Sequence, residues 1–523
     1  MQYKILHIKI AFLLSLFFMI SCGEKERKEV QILIQQRPNI LFIPIDDLRP
    51  EIGAYGNQVI HTPNMDKIAE KGVTFMRAYT QQALCNPSRA SLLTGVRPDS
   101  LQVWDLNTNF RDYLKDIVTL PQFFKENGYI TIGLGKTFHN VFPDTISWTK
   151  KPHPQGFPFD PDAVYASEKN LEIQNKKTEM AIENGVSKDV LGFYYTKAEA
   201  YEYPDVDDDV YFDGAQTTAA VKIIKEELKD SDKPFFLSVG YYRPHLPFNA
   251  PKKYWDIYDP EDIPLADNQY PTKDSPAYSV HGDVELRNYT ASEDLPLPQE
   301  KPWTDERQRT LLHGYYASIS YVDAQIGRLL DALDETGLSE NTIIVLWGDH
   351  GWKLGEHNGW GKMSNFEIDT RVPLIIGGKN VKRKGAKTDA LTEFVDVYPS
   401  LLEMAGFETP KYLAGKSFVS LLENPDQKWK DAAYSQYLLG RFGKVTRIPG
   451  EIMGYTVRTD RYRYVEWYSW NKDRNSVSEL LSKELFDHDM DPKESQNLAN
   501  RPENNKLIQE LHEKLKLQFK EVK

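Results

Sequence analysis

The stretch CNPSRASLLTG, residues 85–95, holds one of only two cysteines in 523 residues. Leu92 and Leu93, with the small Ala90 and Ser91, suit a short helix entered at Pro87 and stopped by Gly95. Cys85 then sits at or just before the N-cap, where free N–H groups and a partial positive charge favour anions. A thiol there is expected to have a lowered pKa and nucleophilic character. The plainer reading is a small buried residue ahead of a helix. Arg89 lies one turn after Cys85, on the same face. Two acidic groups stand elsewhere: Asp46-Asp47 after the apolar run NILFIPI, and Asp349-His350 after TIIVLWG. Asp46, Asp47 and Asp349 are hard oxygen donors that suit Ca2+, or Mg2+. Taken singly, an Asp-Asp pair after a strand is more often a solvated turn or helix cap; the Cys85 stretch and Asp349-His350 reverse that toward a metal site. Lys136 and His139 follow the apolar run 130–134, and His245 follows 235–239. A histidine of ordinary pKa, about 6.5, can give or take a proton near neutral pH.

The elements that must position these residues are legible. Short continuous apolar strands alternate with helices, which predicts an α/β fold with a parallel or mixed sheet covered by helices on both faces. In such sheets ligands sit at the carboxyl ends of strands, where both acidic groups fall. Thr62 and Pro63 are expected to start a helix that Gly72 stops, and a long helix is expected from 305 to 336, ended by Gly337. Past residue 430 the pattern changes to alternation. Tyr455, Val457 and Thr459, then Tyr462 to Tyr468 after Asp460-Arg461, predict a hairpin in a small antiparallel sheet. Leu507, Leu511 and Leu515 give a terminal helix packed on it. Residues 38–430 are therefore expected to form a catalytic domain and 431–523 a smaller α+β subdomain. The net charge of -12 argues against nucleic acid as a partner.

The chain begins as a leader. Lys4 and Lys9 precede an apolar run from Ile10 to Ile20, too short to span a bilayer comfortably. Ser21-Cys22-Gly23 resembles the bacterial lipobox, in which the cysteine is lipidated and becomes the first residue. Residues 1–21 are thus expected to be a lipoprotein signal peptide, and 22–37 a lipidated cysteine with a polar tether. The expected location is exported and lipid-anchored to a bacterial membrane, at the periplasmic face or cell surface. With Cys22 in the anchor, Cys85 has no disulfide partner.

Cys85, Pro87, Ser88, Arg89, Leu93, Thr94 and Gly95 together resemble the signature of type I sulfatases. FIPIDDLR (42–49), GLGKTFH (133–139), YYRPHLPF (241–248), GDHGWKLGEH (348–357) and WGKMSNFE (360–367) extend the likeness over nearly the whole chain, with wording nearest the iduronate-2-sulfatase branch. The resemblance implies an alkaline-phosphatase/sulfatase-like fold. It implies that a maturation enzyme oxidises Cys85 to Cα-formylglycine, whose hydrate is the nucleophile. It further implies metal ligation by Asp46, Asp47, Asp349, His350 and the modified Cys85. Arg89 would hold the formylglycine hydroxyl, Lys136 and Lys362 would bind sulfate, His139 would be the base of the second step, and His245 would protonate the leaving oxygen. The implied substrate is a sulfated saccharide, from ulvan, carrageenan or a glycosaminoglycan. Arg97 to Asp99, Trp104-Asp105 and Tyr241 to Arg243 are candidates for reading the sugar. The rival classes are a formylglycine-dependent phosphoester or phosphonate hydrolase and a non-catalytic glycan-binding lipoprotein. A two-zinc centre lacks its extra histidines.

Overall fold

The computed structural model describes residues 37–139, 142–150, 164–186, 197–280, 283–292, 295–440 and 450–520. The expected signal peptide, Cys22 and nearly all of the tether lie outside the described residues. Among the described residues no helix is long and apolar enough to cross a membrane.

A seven-stranded mixed sheet forms the centre. Its strands are β1 (Asn39–Ile45), β2 (Gly72–Phe75), β3 (Ile130–Gly135), β4 (Phe235–Gly240), β5 (Thr342–Gly348), β6 (Leu374–Gly378) and β7 (Ala386–Thr388), in the spatial order β7-β2-β6-β5-β1-β4-β3. β1 pairs in parallel with β4 and β5, while β6 runs antiparallel to β5 and β2. Both faces of β1 are apolar because both are covered. Leu41, Ile43 and Ile45 join the core under the 32-residue helix Asp305–Thr336 and the helix Phe212–Ile223. Ile40 and Phe42 join the opposite core, with helices Cys85–Thr94 and Val397–Met404. In chain order these helices, with Pro63–Glu70 and the terminal Asn505–Gln518, are α1 (Pro63–Glu70), α2 (Cys85–Thr94), α3 (Phe212–Ile223), α4 (Asp305–Thr336), α5 (Val397–Met404) and α6 (Asn505–Gln518).

Two boundary expectations are corrected. Lys71 caps α1, and Gly72 is already the first residue of β2. The Thr62 hydroxyl accepts from the Gly53 N–H at 2.9 Å instead of capping the helix, so Pro63 alone marks its start.

The C-terminal sheet has four antiparallel strands in sequence order: β8 (Ala433–Leu439), β9 (Ile452–Arg458), β10 (Tyr462–Asn471) and β11 (Ser476–Asp487). The expected hairpin is its central pair. α6 buries Ile508, Leu511 and Leu515 against it, with Leu507 half-buried. The other end of this sheet packs on the main domain: Tyr437, Leu439, Ile452, Val465 and Trp467 share an apolar cluster with Leu84 and Cys85.

Candidate functional site

Strand register gathers the predicted residues. Ile45 of β1 lies opposite Gly348 of β5, so Asp46-Asp47 and Asp349-His350 leave the sheet side by side. The Asp47 N–H donates to Asp349 Oδ1 at 3.0 Å, and the Asp349 N–H to the Ile45 carbonyl at 3.2 Å. On the next strands Gly135 lies opposite Gly240, and the Lys136 N–H donates to the Gly240 carbonyl at 2.9 Å. Gly135 has φ +60°, and a Cβ there would come within 2.2 Å of the Gly240 oxygen. Only glycine lets the chain turn so tightly and aim Lys136 back over the sheet.

Cys85 is the first residue of α2, with Leu84 as its N-cap; the helix begins two residues before Pro87. Cys85 is 2 % exposed. The expected lowered thiol pKa is not found. Burial, then the negative charge of Asp46, pushes the thiol well above its ordinary value, outweighing Lys136 and Lys362. As a thiol it is a poor nucleophile. The Ser88 hydroxyl donates to the Asp349 carbonyl at 2.6 Å and fixes α2 to the loop after β5.

Arg89 is fully buried, and each of its three guanidinium nitrogens donates. Nε donates to Asp349 Oδ2 at 2.8 Å and Nη2 to Asp46 Oδ1 at 3.2 Å. Nη1 donates to the Lys136 carbonyl and, at 3.2 Å, to that of Thr137. Arg89 thus joins the ends of β1, β3 and β5, as only a planar multi-donor group can. Lys136 Nζ pairs with the other oxygen of Asp46. Lys362 Nζ donates to Asp47 Oδ1 at 2.7 Å and to Cys85 Sγ at 3.4 Å. Burial would raise Asp46, but Lys136 foremost, with His245, Arg89 and Lys362, holds it well below the carboxylate range. Burial raises Asp47, with Asp46 adding to it, against the pull of Lys362.

The donor set fits a divalent cation. Ligand atoms of Asp46, Cys85, Asp349 and His350 lie within 4.8 Å of one another, as do those of Asp46, Asp47, Cys85 and His245. Buried Asp47 Oδ2 has no hydrogen-bond partner among the described residues. His350 Nδ1 faces the Gly351 carbonyl at 3.1 Å and so carries the proton, since a carbonyl only accepts. Its Nε2 lone pair then faces Cys85 Sγ at 3.3 Å and the carboxylates of Asp47 and Asp349, each at 3.5 Å. A backbone acceptor that fixes the tautomer in this way is common behind metal-bound histidines.

The remaining histidines differ from one another. His139 follows β3; burial first, then Lys136, pulls it well below its ordinary value, so it is neutral at pH 7. Its Nδ1 has no hydrogen-bond partner among the described residues. His245 follows β4 on a turn held by α3: Asp213 accepts from the N–H groups of Tyr242 and Arg243 at 3.0 and 2.8 Å. The turn contains two cis peptide bonds, before Pro244 and Pro247. His245 Nδ1 faces the Leu246 carbonyl at 2.7 Å, and its Nε2 faces Glu285 Oε1 at 2.7 Å.

Glu285 has no counterpart among the sequence expectations. It is the N-cap of the 3₁₀ turn Leu286–Asn288, and no motif marks it. Lys197 was also unmarked. Burial lowers its ammonium to about 8, and its Nζ stands 4.5 Å from the Tyr289 ring centroid. Most candidate sugar readers are occupied otherwise. Arg97 pairs with Glu393 at 2.8 Å. Asp99 accepts from Trp104 Nε1 at 2.7 Å, Gln436 Nε2 at 2.5 Å and the Tyr455 hydroxyl at 2.9 Å, a joint to the C-terminal sheet. Asp105 accepts from the N–H groups of Asn107 and Thr108, and Tyr241 is buried against Thr217. Tyr242 and Arg243 stay half-buried beside Lys136 and His245.

The family profile "Sulfatase" matches residues 38–407, and "N-sulphoglucosamine sulphohydrolase, C-terminal" matches 355–521. The chain is 33% identical to the iduronate 2-sulfatase of Homo sapiens, over 90% of this chain and 92% of that one. It is 28% identical to an ulvan-active sulfatase of Formosa agariphila, over 99% of this chain and 88% of that one. Among solved structures, a 2-O GAG sulfatase superposes with a TM-score of 0.66 at 24% identity, covering 92% of each chain.

Proposed function

The chain belongs to the sulfatase family, whose members are sulfuric ester hydrolases, and we propose that it cleaves sulfate esters of a sulfated saccharide, from a polysaccharide such as ulvan, carrageenan or a glycosaminoglycan. What supports the substrate class is the naming of relatives: one acts on iduronate 2-sulfate and another on ulvan. We place the enzyme outside the cytoplasm, tethered through Cys22.

One observation carries the chemistry. Arg89, Lys136, Lys362 and His245 converge with three aspartates on a single buried sulfur, that of Cys85. The free thiol is held protonated, so sulfur itself is the wrong nucleophile. Oxidised to formylglycine and hydrated, residue 85 presents two hydroxyls. One gives its proton to a carboxylate of the aspartate cluster, where Asp47 Oδ2 is unpartnered among the described residues, and attacks the sulfate sulfur; the bond from sulfur to the sugar oxygen breaks, and His245 gives that oxygen its proton. The second hydroxyl then yields its proton to neutral His139. The aldehyde reforms as the bond between residue 85's carbon and the sulfate oxygen breaks, and sulfate leaves. Lys136 and Lys362 hold the anionic sulfate oxygens throughout. Arg89 acts at one remove, locking Asp46 and Asp349 in place. Asp46, Asp47, Asp349, His350 and residue 85 would hold Ca2+, or less readily Mg2+, which when bound polarises sulfate and acidifies the attacking hydroxyl.

The test is sulfate release from a panel of sulfated oligosaccharides resolved by ring position, run beside matched phosphate esters. Sulfate release from at least one of the sulfated oligosaccharides is the expected result. Faster turnover of phosphate esters would transfer the chain to the phosphohydrolase reading, and glycan binding without any release would transfer it to the non-catalytic one.

A further inference from the structure

Glu285 stands between two groups that the reaction above requires. Its Oε1 lies 2.7 Å from His245 Nε2, and its Oε2 lies 3.3 Å from Lys362 Nζ. The other nitrogen of His245 is engaged by the Leu246 carbonyl, so Nε2 is the only ring position left to face a substrate. A ring nitrogen carries one hydrogen and makes one strong hydrogen bond. Lys362 has three donors, of which Asp47 and Cys85 already engage two. A sulfate ester seated on residue 85 therefore seeks the same N–H and the same ammonium that Glu285 holds. Burial would raise the Glu285 carboxyl, but Lys362 foremost, then His245 and Lys197, keeps it well below the carboxylate range. The group in the seat is thus a full anion, and its side chain is 16 % exposed.

Resting on the functional reading above, we propose that Glu285 is a specificity-determining residue: its carboxylate occupies the donor seat of the leaving-group oxygen and must be exchanged from His245 Nε2 by any sulfate ester that binds. The exchange weakens every anion that offers nothing but sulfate. Free sulfate and small esters gain the two donors only by displacing an internal anion. A saccharide adds contacts remote from sulfur, and those offset the exchange. The residue also favours product departure, because Glu285 retakes His245 and Lys362 as sulfate leaves.

The experiment measures inorganic sulfate binding by calorimetry in the Cys85→Ala protein, where no turnover intervenes. Glu285→Gln keeps the shape and removes the charge, and Glu285→Asp keeps the charge and shortens the reach. Replacing one charged hydrogen-bond partner should tighten sulfate about tenfold in Glu285→Gln, with Glu285→Asp nearer the parent. In the mature enzyme Glu285→Gln should lower KM for an aryl sulfate more than for a sulfated oligosaccharide, and inhibition by product sulfate should strengthen. Sulfate binding that is unchanged or weaker in a folded Glu285→Gln protein overturns the proposal. So does an equal KM change for small and large substrates. If neither protein binds sulfate, the functional reading falls, and the proposal falls with it.

Discussion

The proposed role of Cys85 as a formylglycine precursor has a direct chemical signature. Mass spectrometry of active protein should find residue 85 as the aldehyde or its hydrate, in the tryptic peptide that ends at Arg89. Cys85→Ala should lower turnover by at least about a thousandfold; full activity with an intact thiol would refute the mechanism. The two histidines are separable by leaving group. General acid catalysis is worth roughly a hundred- to ten-thousandfold, and an alkoxide needs it more than a phenolate. His245→Ala should therefore cost sugar sulfates most and partly spare an activated aryl sulfate. His139→Ala should instead trap sulfate on residue 85 with either substrate, visible as a mass increment. Because burial and Lys136 lower His139, its basic form persists below pH 6.5. The acid limb of kcat should then fall below that value, and a limb at or above 6.5 would assign the base elsewhere. At the metal donors, Asp47→Asn should reduce bound Ca2+ below one per chain, read by elemental analysis of the folded protein. Stoichiometric zinc without calcium or magnesium would reject the donor reading.

At the scale of elements, the sheet was legible because NILFIPI and TIIVLWG are unbroken apolar runs that stop abruptly at acids. What register adds is adjacency: nothing in two strings 300 residues apart says that Ile45 pairs with Gly348. The Cys85 expectation failed for a related reason. A helix N-terminus is visible in sequence, but the residues that seal it are not, because Met363, Tyr437 and Trp467 come from far along the chain. Glu285 was invisible because a loop carries no period. β11 was missed because SVSELLSKELFD mixes strand and helix formers, and its alternation is interrupted where register shifts against β10. That strand carries a prediction of its own. Glu484 accepts from Trp467 Nε1 at 2.7 Å, and burial pushes its carboxyl up to about 7. A raised folded pKa means the fold binds a proton that the unfolded chain releases above about 4.5. The stability this provides is complete at low pH and is lost as pH rises through 7. Glu484→Gln should therefore be more stable than the parent at pH 8, by on the order of 2 kcal/mol, and indistinguishable from it near pH 4. Equal melting temperatures at pH 8 would refute the buried protonated carboxyl.

At the scale of the whole molecule, the C-terminal sheet closes over the chemistry. Residues 38–430 expressed without it would expose Leu84, Leu106 and Met363 to water, together with the apolar faces that Tyr437, Ile452 and Trp467 now cover. Such a chain should collect in the insoluble fraction; a soluble, active fragment would show that the two parts are independent. Replacing Cys22 with serine should move the protein from the membrane fraction to the soluble one without loss of specific activity, which fractionation of cells reads directly. The same closure has a temporal meaning. On the proposed mechanism an oxidising maturase needs the thiol in its own active site, and in the finished fold that thiol is sealed by segments synthesised up to 382 residues later. Modification would then have to precede closure, on a chain still emerging or not yet collapsed. Molecules that close first would hold no reserve of activity, and maturase added afterwards would rescue only what is first unfolded.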